Sequence, residues 1–421
     1  ARVLSGTTWS ALNEAVFAVG PVAQSLRISE LMYHPLDTGN PNDPNTEFIE
    51  LTNIANQSVN LNLVRFTNGI DYTFPSFDLP AGGYCLIVKS IAAFGAKYGS
   101  KLPVVGQYAG SLNNAGERIE LVDAAGTIIQ SFEYKDGWFD ITDGLGFSLT
   151  VKDPKTVDAN SLDDKAPWRP SALAGGSPGS DDRGQAPELG AVVINELLAN
   201  SQGTGPDWIE LYNTTNQAIN IGGWFLSDDA NDLTKYRIAA GTSIPADGYV
   251  VFYEDKHFGN QADPGCKTAF GLSKDGETVY LHSGSAGVLT GYSQQEKFDA
   301  SEPGVALGRH PKSTGAYNFV ALSAPTPGKA NATPVVGPVV INEIMYHPLD
   351  VEDAEYVELL NISSSAVTLY DAGRKAPWRF TDDPQDPSVE LLFPTDAPVT
   401  LAPGERLVLA HFVRLFPELA L

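Results

Sequence analysis

The 421-residue sequence predicts an all-β fold made of repeated β-sandwich or barrel domains. First, 40 glycines and 29 prolines are spread along the chain and divide it into short segments, as the turns of an all-β protein do. Second, these segments are roughly five to eight residues long and rich in Val, Ile, Tyr and Phe, whereas helical periodicity is confined to short runs such as residues 90–98. Third, the same two motifs occur three times.

The first motif is an apolar run that ends in a polar residue followed by glutamate. Its copies are residues 26–30 (Leu-Arg-Ile-Ser-Glu), 192–196 (Val-Val-Ile-Asn-Glu) and 339–343 (Val-Val-Ile-Asn-Glu). The first and third copies lead into the identical run Met-Tyr-His-Pro-Leu-Asp, at residues 32–37 and 345–350.

The second motif follows each copy of the first and has the pattern acidic–aromatic–β-branched–Glu–Leu–x–Asn. Its copies are residues 47–53, 207–213 and 355–361. The repeats begin roughly 150 residues apart, far more than a solenoid unit contains, so each repeat is expected to be a domain in its own right.

Turn motifs complete the repeats. A Pro/Gly turn precedes an apolar strand in each, at residues 80–83, 245–248 and 403–404. The first two repeats close on Ser177-Pro178-Gly179 and Thr326-Pro327-Gly328, and the third has no counterpart. We therefore expect the third repeat to be truncated, with unpaired strands and the lowest stability, and the sequence to be a piece of a longer protein.

The two motifs together resemble the lamin tail domain. The run Ile221-Gly222-Gly223-Trp224-Phe225 is similar to that family's glycine–tryptophan strand, although the first and third repeats depart from it. The resemblance implies tandem immunoglobulin-like β-sandwiches: domain 1 at residues 22–180, domain 2 at 188–330 and a truncated domain 3 at 338–421. Residues 1–20 resemble the end of a preceding fibronectin-like or chitobiase-C-terminal-like β domain.

Composition and missing motifs exclude several function classes. A net charge of −24 repels a phosphate backbone, so nucleic acid is not an expected partner. No apolar run is long enough to span a membrane, and no hydrolase, nucleotide-binding or metalloprotease motif occurs. The two cysteines, Cys85 and Cys266, provide neither a disulfide framework nor zinc spacing, and Cys85 is expected in the core.

The repeated glutamates are the candidate site residues. Strand alternation places Glu196 on the same face as Ile194, which is the core face, and a carboxylate there needs hydrogen-bond partners. The favoured interpretation is structural: these glutamates accept backbone N–H bonds from a neighbouring loop. The alternatives are a Ca²⁺ site or, least favoured because the constellation is triplicated, an acid/base pair. The three pairs are Glu30 with Glu50, Glu196 with Glu210, and Glu343 with Glu358.

Other polar and aromatic residues have simpler interpretations. His34 and His347 are expected as exposed turn residues before proline rather than metal ligands. Acidic stretches at residues 181–182, 228–232 and 381–384 are expected to be solvated loops, with Ca²⁺ binding as the alternative. Trp138, Trp168, Trp224 and Trp378 could stack on sugars, but core or edge packing is favoured.

Two classes of function remain. The first is a non-catalytic binding or spacer region, secreted or at the cell surface, whose partners are neighbouring domains of the same polypeptide and an unknown extracellular protein or polysaccharide. In bacteria, the resemblance implies, such copies accompany catalytic domains of large secreted proteins. The alternative is an accessory substrate-binding region of a secreted hydrolase, stabilised by Ca²⁺. No catalytic residue and no cofactor is predicted, and the chain is not expected to be an enzyme.

Overall fold

A computed structural model describes residues 2–11, 22–182, 184, 187–201, 205–349, 354–381 and 390–410. Strands make up 40% of it and helices 6%, which confirms the predicted all-β class. The chain forms two compact units, Ala1–Thr333 and Pro334–Leu421. Among the described residues, no helix is long and apolar enough to cross a membrane.

The first unit begins with a short hairpin of Leu4–Ser5 and Thr8–Trp9. The expectation that residues 1–20 end a preceding domain stays a prediction, since residues 1 and 12–20 lie outside the described part of the chain.

Repeat 1 is a sandwich of two sheets. The larger sheet has six strands, in the order Val104–Gln107, Tyr84–Val88, Phe48–Asn53, Leu26–Met32, Leu149–Val151 and Trp168–Pro170. The smaller has four, in the order Ile128–Tyr134, Glu117–Val122, Arg65–Asn68 and Tyr72–Thr73. Val59–Asn60 pairs separately with Asp78–Leu79. All neighbours are antiparallel except the parallel pair formed by Val104–Gln107 and Tyr84–Val88.

Short helices connect the strands of repeat 1. The longest, Ile91–Tyr98, confirms the helical run predicted at residues 90–98, and Ser90 accepts a 3.3 Å hydrogen bond from the amide of Ala93 at its N-terminus. Phe94 packs edge-on against Phe48, with ring centroids 5.8 Å apart. The other helical segments are Val22–Ser25, Asp43–Asn45, Asp136–Trp138, Asp140–Thr142 and Ala159–Ser161.

Repeat 2 has the same architecture with antiparallel pairing throughout its described strands. One sheet runs in the order Tyr249–Tyr253, Trp208–Asn213, Val192–Leu198, Leu307–Pro311 and Tyr317–Ala321. The other runs Tyr236–Arg237, Phe225–Ser227, Gly276–Ser285 and Val288–Asp299. Ile219–Asn220 pairs with Ser243–Ile244.

The cores of both sandwiches lie between their two sheets. In repeat 1 the core includes Ile28, Leu31, Ile49 and the predicted core residue Cys85. The core of repeat 2 has the corresponding residues Ile194, Leu197 and Ile209. Inward-facing apolar side chains from both sheets therefore fill the space between them, as in other packed sheets.

Repeats 1 and 2 also pack against each other. Ile141 and Phe147 of repeat 1 form an apolar cluster with Leu233 of repeat 2. The amide of Gly291 donates to the carbonyl of Ala172 over 3.0 Å, so strand and loop meet backbone to backbone. The domain boundaries at residues 22–180 and 188–330 stay predictions, and the contacts place both repeats in one compact unit.

The second unit contains repeat 3. Its main sheet has the order Val339–Met345, Tyr356–Asn361 and Arg406–Ala410. Three strand pairs accompany it: Val367–Thr368 with Thr400–Leu401, Tyr370–Asp371 with Ala376–Pro377, and Arg379–Thr381 with Glu390–Leu392. Its core contains Leu359, Leu369, Phe393 and Leu401. The predicted boundary of domain 3, residues 338–421, stays a prediction.

Candidate functional site

The predicted glutamate pairs lie directly opposite each other on two neighbouring strands of every repeat. The first Glu strands are Leu26–Met32, Val192–Leu198 and Val339–Met345, and the second Glu strands are Phe48–Asn53, Trp208–Asn213 and Tyr356–Asn361. The paired residues are Glu30 with Glu50, Glu196 with Glu210, and Glu343 with Glu358.

A β-bulge corrects the orientation that strand alternation predicts for the first glutamate. The register shifts between Ile194 and Glu196, so Asn195 is the extra residue of the strand. Ile194 and Leu197 consequently both face the sandwich core, and Glu196 lies on the opposite, outer face of the sheet. The prediction that Glu196 shares the face of Ile194 is wrong because one inserted residue inverts the alternation. Repeats 1 and 3 have the same shift, before Glu30 and Glu343.

The first glutamate is bound at both oxygens by the first residue of the Ser/Thr-Pro-Gly run, called here the closing loop. In repeat 2, Thr326 donates its amide to Oε1 of Glu196 over 2.8 Å and its hydroxyl to Oε2 over 2.6 Å. In repeat 1, Ser177 donates its amide to Oε1 of Glu30 over 2.9 Å and its hydroxyl to Oε2 over 3.0 Å. Ser148 also donates its hydroxyl to Oε1 of Glu30.

The second glutamate binds the last residue of the closing loop. Gly179 donates its amide to Oε2 of Glu50 over 2.6 Å, and Gly328 donates to Oε2 of Glu210 over 2.5 Å. The bulge residue supplies the donor for the other oxygen: Ser29 for Glu50 over 2.7 Å and Asn195 for Glu210 over 2.8 Å. The polar residue before each first glutamate is therefore part of the site.

Burial governs the protonation of these groups. The side chains of Glu30, Glu50, Glu196 and Glu210 are almost wholly buried. Burial raises the pKa of Glu30, Glu50 and Glu196, and the Glu30 carboxylate raises that of Glu50 further. Burial likewise raises the pKa of Glu210 from 4.5 to about 7, although the hydrogen bonds from Gly328 and Asn195 act in the opposite direction.

Repeat 3 has the glutamate pair without a described closing loop. Asn342 donates to Oε1 of Glu358 over 2.6 Å, as Asn195 does to Glu210, and the guanidinium of Arg406 lies 3.1 Å from the same oxygen. The hydroxyl of Tyr356 donates to Oε1 of Glu343 over 2.6 Å. Within the described residues, no group donates to Oε2 of either glutamate.

In repeats 1 and 2 this arrangement suits fastening better than ligand binding or catalysis. Every oxygen of the four carboxylates accepts at least one hydrogen bond from the protein, and burial keeps all four side chains away from solvent. Within the described part of the chain, no three His, Cys, Asp or Glu side chains are grouped as metal ligands. The expectation of no cofactor and the alternative of Ca²⁺ at these pairs both stay predictions.

The sequence analysis missed the role of the asparagine that ends the second motif. Asn213 is fully buried, and its amide nitrogen donates to the carbonyls of Gln217, Ile244 and Pro245 over 2.7, 3.2 and 2.9 Å. Asn53 and Asn361 bond three carbonyls in the same way. The asparagine thus joins the turn after its own strand to the Pro/Gly turn. Its threefold recurrence was the available signal.

The remaining candidates do not join the glutamate site. His34 pairs with Asp143 over 2.5 Å in a partly exposed turn, and His347 is exposed. In the second acidic stretch, Lys235 lies 2.6 Å from Asp228 and Lys267 lies 3.5 Å from Asp232. Asp182, expected in a solvated loop, instead forms a buried ion pair with Arg169 over 2.7 Å.

The tryptophans pack mainly inside the sandwiches. Trp138, Trp168 and Trp224 are buried, and Trp378 is half-buried. Residues 382–384 of the third acidic stretch lie outside the described residues. Because three of the four indole rings are packed inside, they offer no surface on which a sugar could stack.

Fold and site together define a class of protein: tandem immunoglobulin-like β-sandwiches, of which the first two are closed by a glutamate-bound loop. Residues 21–136 and 185–296, more than half of the chain, match the family model described as Lamin Tail Domain. The chain belongs to the lamin tail domain family.

Other comparisons add little. No curated protein matches the chain. Among solved structures, one of the exo-β-D-glucosaminidase CsxA is similar at 14% sequence identity and a TM-score of 0.14. The likeness covers 61% of this chain and 26% of that one, so this chain spans about a quarter of the glucosaminidase. A similarity this slight supports neither a shared fold nor a shared activity.

Proposed function

We propose that this chain is a non-catalytic spacer and binding region, in which lamin tail sandwiches hold neighbouring parts of a larger assembly at a fixed separation. The observation that carries the proposal is the joint between repeats 1 and 2. It combines an apolar cluster around Ile141, Phe147 and Leu233 with a backbone hydrogen bond from Gly291 to Ala172. Two sandwiches joined in this way move as one stiff body, which is what a spacer requires.

A buried ion pair holds Asp182, at the start of the connection between the two sandwiches, against repeat 1. Arg169, in the last strand of repeat 1, binds the carboxylate of Asp182, which also accepts the amide of Ala172 over 2.9 Å. Both side chains are less than a tenth exposed. A buried charge pair with added hydrogen bonds fixes geometry more than it adds stability. This contact therefore fixes where the chain leaves repeat 1 towards repeat 2.

We also propose that this chain catalyses no reaction. The carboxylates of repeats 1 and 2 are occupied by closing-loop donors, and a general base must be free to reach a substrate proton. The same glutamate pair occurs in all three repeats, which is more typical of a structural motif than of an active site. A reproducible turnover that a single carboxylate substitution abolishes would overturn this part.

The proposed setting is outside the cell, where tandem lamin tail copies are expected to join other domains. This setting is supported by the resemblance to large secreted proteins. Its test is protease treatment of intact producing cells with a membrane-impermeant enzyme. Loss of the chain supports exposure at the surface, and full protection until the cells are lysed contradicts it.

The spacer role is tested by the distribution of distances between the two repeats. Spin labels are placed at the exposed positions Ile128→Cys and Lys312→Cys, in a Cys266→Ser background. Double electron–electron resonance should give one narrow distance peak. The matched variant Leu233→Asp, which places a charge in the joint, should broaden it. A distribution that is already broad in the labelled parent would show freely swinging domains and contradict the spacer.

A further inference from the structure

His282 of repeat 2 is a buried polar side chain whose ring makes no hydrogen bond within the described residues. It is 0% exposed, and both ring nitrogens are buried without a partner. An apolar environment tolerates a neutral imidazole far better than a protonated one, because a buried charge without a partner is very costly. The place of this ring in the fold therefore decides what its protonation would disturb.

The ring lies on the outer face of its sheet, away from the core of repeat 2. In the strand Gly276–Ser285, Val279 and Leu281 belong to that core. Side chains alternate along a strand, so Tyr280 and His282 point to the opposite face. Their rings are nearly parallel, with centroids 6.4 Å apart. A fully buried histidine on an outer face must be covered by another part of the chain.

Repeat 1 provides this cover. Tyr280 packs against the apolar cluster that crosses the joint between the two repeats, around Ile141 and Phe147 of repeat 1. On the neighbouring strand, Ser293 lies directly opposite His282. The residues two positions before and after Ser293 point to the same face, and both contact repeat 1.

These two contacts enclose the ring from either side. Gly291 donates its amide to the carbonyl of Ala172 over 3.0 Å. The side-chain amide of Gln295 donates to the carboxylate of Asp140. His282 is therefore buried inside the joint, between two points at which repeat 2 touches repeat 1.

Several charged and titratable groups flank this part of the joint. In repeat 2 they are Tyr280, Asp229, Glu188 and Arg237, the last of which pairs with the residue opposite His282, Phe225. In repeat 1 they are Asp140, Asp143, Lys165, Arg169 and His34. Burial rather than any of these charges lowers the pKa of His282, from 6.5 to about 3, and the backbone of Tyr292 opposes this only in part.

We propose that His282 makes the joint between repeats 1 and 2 sensitive to acid: the sandwiches stay together while its ring is neutral and separate when the ring takes up a proton. This inference rests on the proposed spacer role and adds a condition under which the spacer loses its stiffness. The core of repeat 2 can stay intact, because separation alone brings a ring on the outer face into water.

The direction of the effect follows from linkage. In the separated state the ring meets water, where its pKa has the ordinary value of 6.5. The closed joint therefore loses stability as pH falls from 6.5 towards 3, and at pH 4.5 the equilibrium should be shifted about a hundredfold towards the open state. Asp140 acts in the opposite sense, because burial raises its pKa and acid then favours the closed joint.

Hydrogen exchange at the amide of Gly291 measures this equilibrium, since its N–H bonds across the joint. In the full chain, the protection factor of this amide should fall about a hundredfold between pH 7.5 and pH 4.5. The far-UV circular dichroism of the β-sheets should stay unchanged. Loss of that signal at pH 4.5 would show that acid unfolds a sandwich instead of opening the joint, and would overturn the proposal.

Matched variants identify the group that takes up the proton. His282→Leu puts an apolar side chain of similar size into the joint and should abolish the pH dependence of Gly291 protection. His34→Gln, which removes the other histidine near the joint, and Asp140→Asn, which removes the opposing carboxylate, should both keep it. A hundredfold fall that persists in His282→Leu would overturn the proposal.

Nuclear magnetic resonance of the imidazole ring tests the parent chain without any substitution. The titration midpoint of His282 should lie below 6.5, and its protonation should coincide with the loss of Gly291 protection. A midpoint at or above 6.5 contradicts the proposal.

The spin-label distances of the spacer test separate the two proposals. A narrow peak at pH 7.5 together with pH-independent Gly291 protection would leave the spacer and overturn the acid response. A broad distribution at pH 7.5 would contradict the spacer itself and this inference with it.

Discussion

Glu196 connects two segments of repeat 2 that are 130 residues apart in sequence. Its two oxygens receive the amide and the hydroxyl of Thr326. Glu196→Gln should therefore cost little, because the amide oxygen still accepts the Thr326 N–H and the amide nitrogen donates to the hydroxyl oxygen. Glu196→Leu leaves the N–H unpaired and should lower the free energy of unfolding by about 1–3 kcal/mol. Urea denaturation of the two variants measures the difference.

Thermal unfolding with and without Ca²⁺ distinguishes a structural role of Glu196 from ion binding. With a structural glutamate, Ca²⁺ and a chelator leave the melting temperature of the parent chain unchanged. A strong upward shift with Ca²⁺, lost in Glu196→Gln, would show that a cation binds the folded state at this pair.

Glu210 gives repeat 2 a defined dependence on pH. Its pKa is about 7 in the folded chain against an ordinary value of 4.5, so the folded state holds its proton more tightly than the unfolded state. The stability from this group is fully present below pH 4.5 and is lost as pH rises through 7. Relative to Glu210→Gln, the parent should lose up to about 3 kcal/mol between these limits. Chemical denaturation of both proteins from pH 4 to 8 tests this, and parallel curves would contradict it.

Asn213 holds two turns of repeat 2 together, so a carboxylate in its place should be damaging. Its amide nitrogen faces three carbonyl oxygens, and Asn213→Asp would place a carboxylate oxygen against them. The substitution should reduce the free energy of unfolding by at least about 1–3 kcal/mol. Asn216→Asp, three residues away and exposed, is the control and should stay close to the parent. Equal stability of the two variants in thermal unfolding would show that the hydrogen bonds of Asn213 do not stabilise the fold.

Sequence reasoning identified the glutamates but not their orientation. The three copies and the neighbouring polar residue were visible in the motif. The bulge was not, because Ile-Asn-Glu has the same composition with or without an extra residue in the strand. The asparagine was visible too, but its partners are backbone carbonyls of two turns. Because every residue has such a carbonyl, the sequence does not indicate which ones the asparagine binds.

At the scale of elements, the close approach of Gly291 to Ser171 determines how the repeats pack. A Cβ atom on Gly291 would overlap the carbonyl oxygen of Ser171, a backbone atom that cannot move aside by itself. Gly291→Ala should therefore push the two repeats apart while leaving each sandwich folded. In differential scanning calorimetry, we expect the first unit of the parent chain to unfold in one transition and that of Gly291→Ala to unfold in two.

The matched control is Gly205→Ala, where a Cβ atom meets nothing within 4 Å. It should melt like the parent chain. Unchanged cooperativity in Gly291→Ala would mean that the joint tolerates displacement and that the spacer is less stiff than proposed.

This joint is the part of the fold that the sequence could not predict. The short helix and the all-β class follow from turn spacing and apolar alternation inside each repeat, and the sandwich follows from the family resemblance. Ile141, Phe147 and Leu233 lie in irregular segments without periodicity, so nothing local indicates that they meet. The acidic stretch at residues 181–182 was expected to be a solvated loop, and only the fold shows that Arg169 binds Asp182.

For the whole molecule, the central claim is that the glutamate pairs of repeats 1 and 2 hold their closing loops by hydrogen bonds. Thr326 and Gly328 lie in a loop, where Gly328 is exposed, so their amides would exchange quickly without acceptors. Ala324 is exposed two residues before Thr326, and its N–H donates to no described group, so it is an internal reference beside the same loop.

Hydrogen exchange on the full chain, resolved to single amides, is the most direct test. We predict slow exchange at Ser177, Gly179, Thr326 and Gly328, fast exchange at Ala324, and faster exchange at Thr326 and Gly328 in Glu196→Leu. In the parent, the first Glu strand of repeat 3 should exchange faster than that of repeat 2. Loop amides that exchange as fast as Ala324 in the parent chain would contradict the account, because the glutamates would then be free and the loops unfastened.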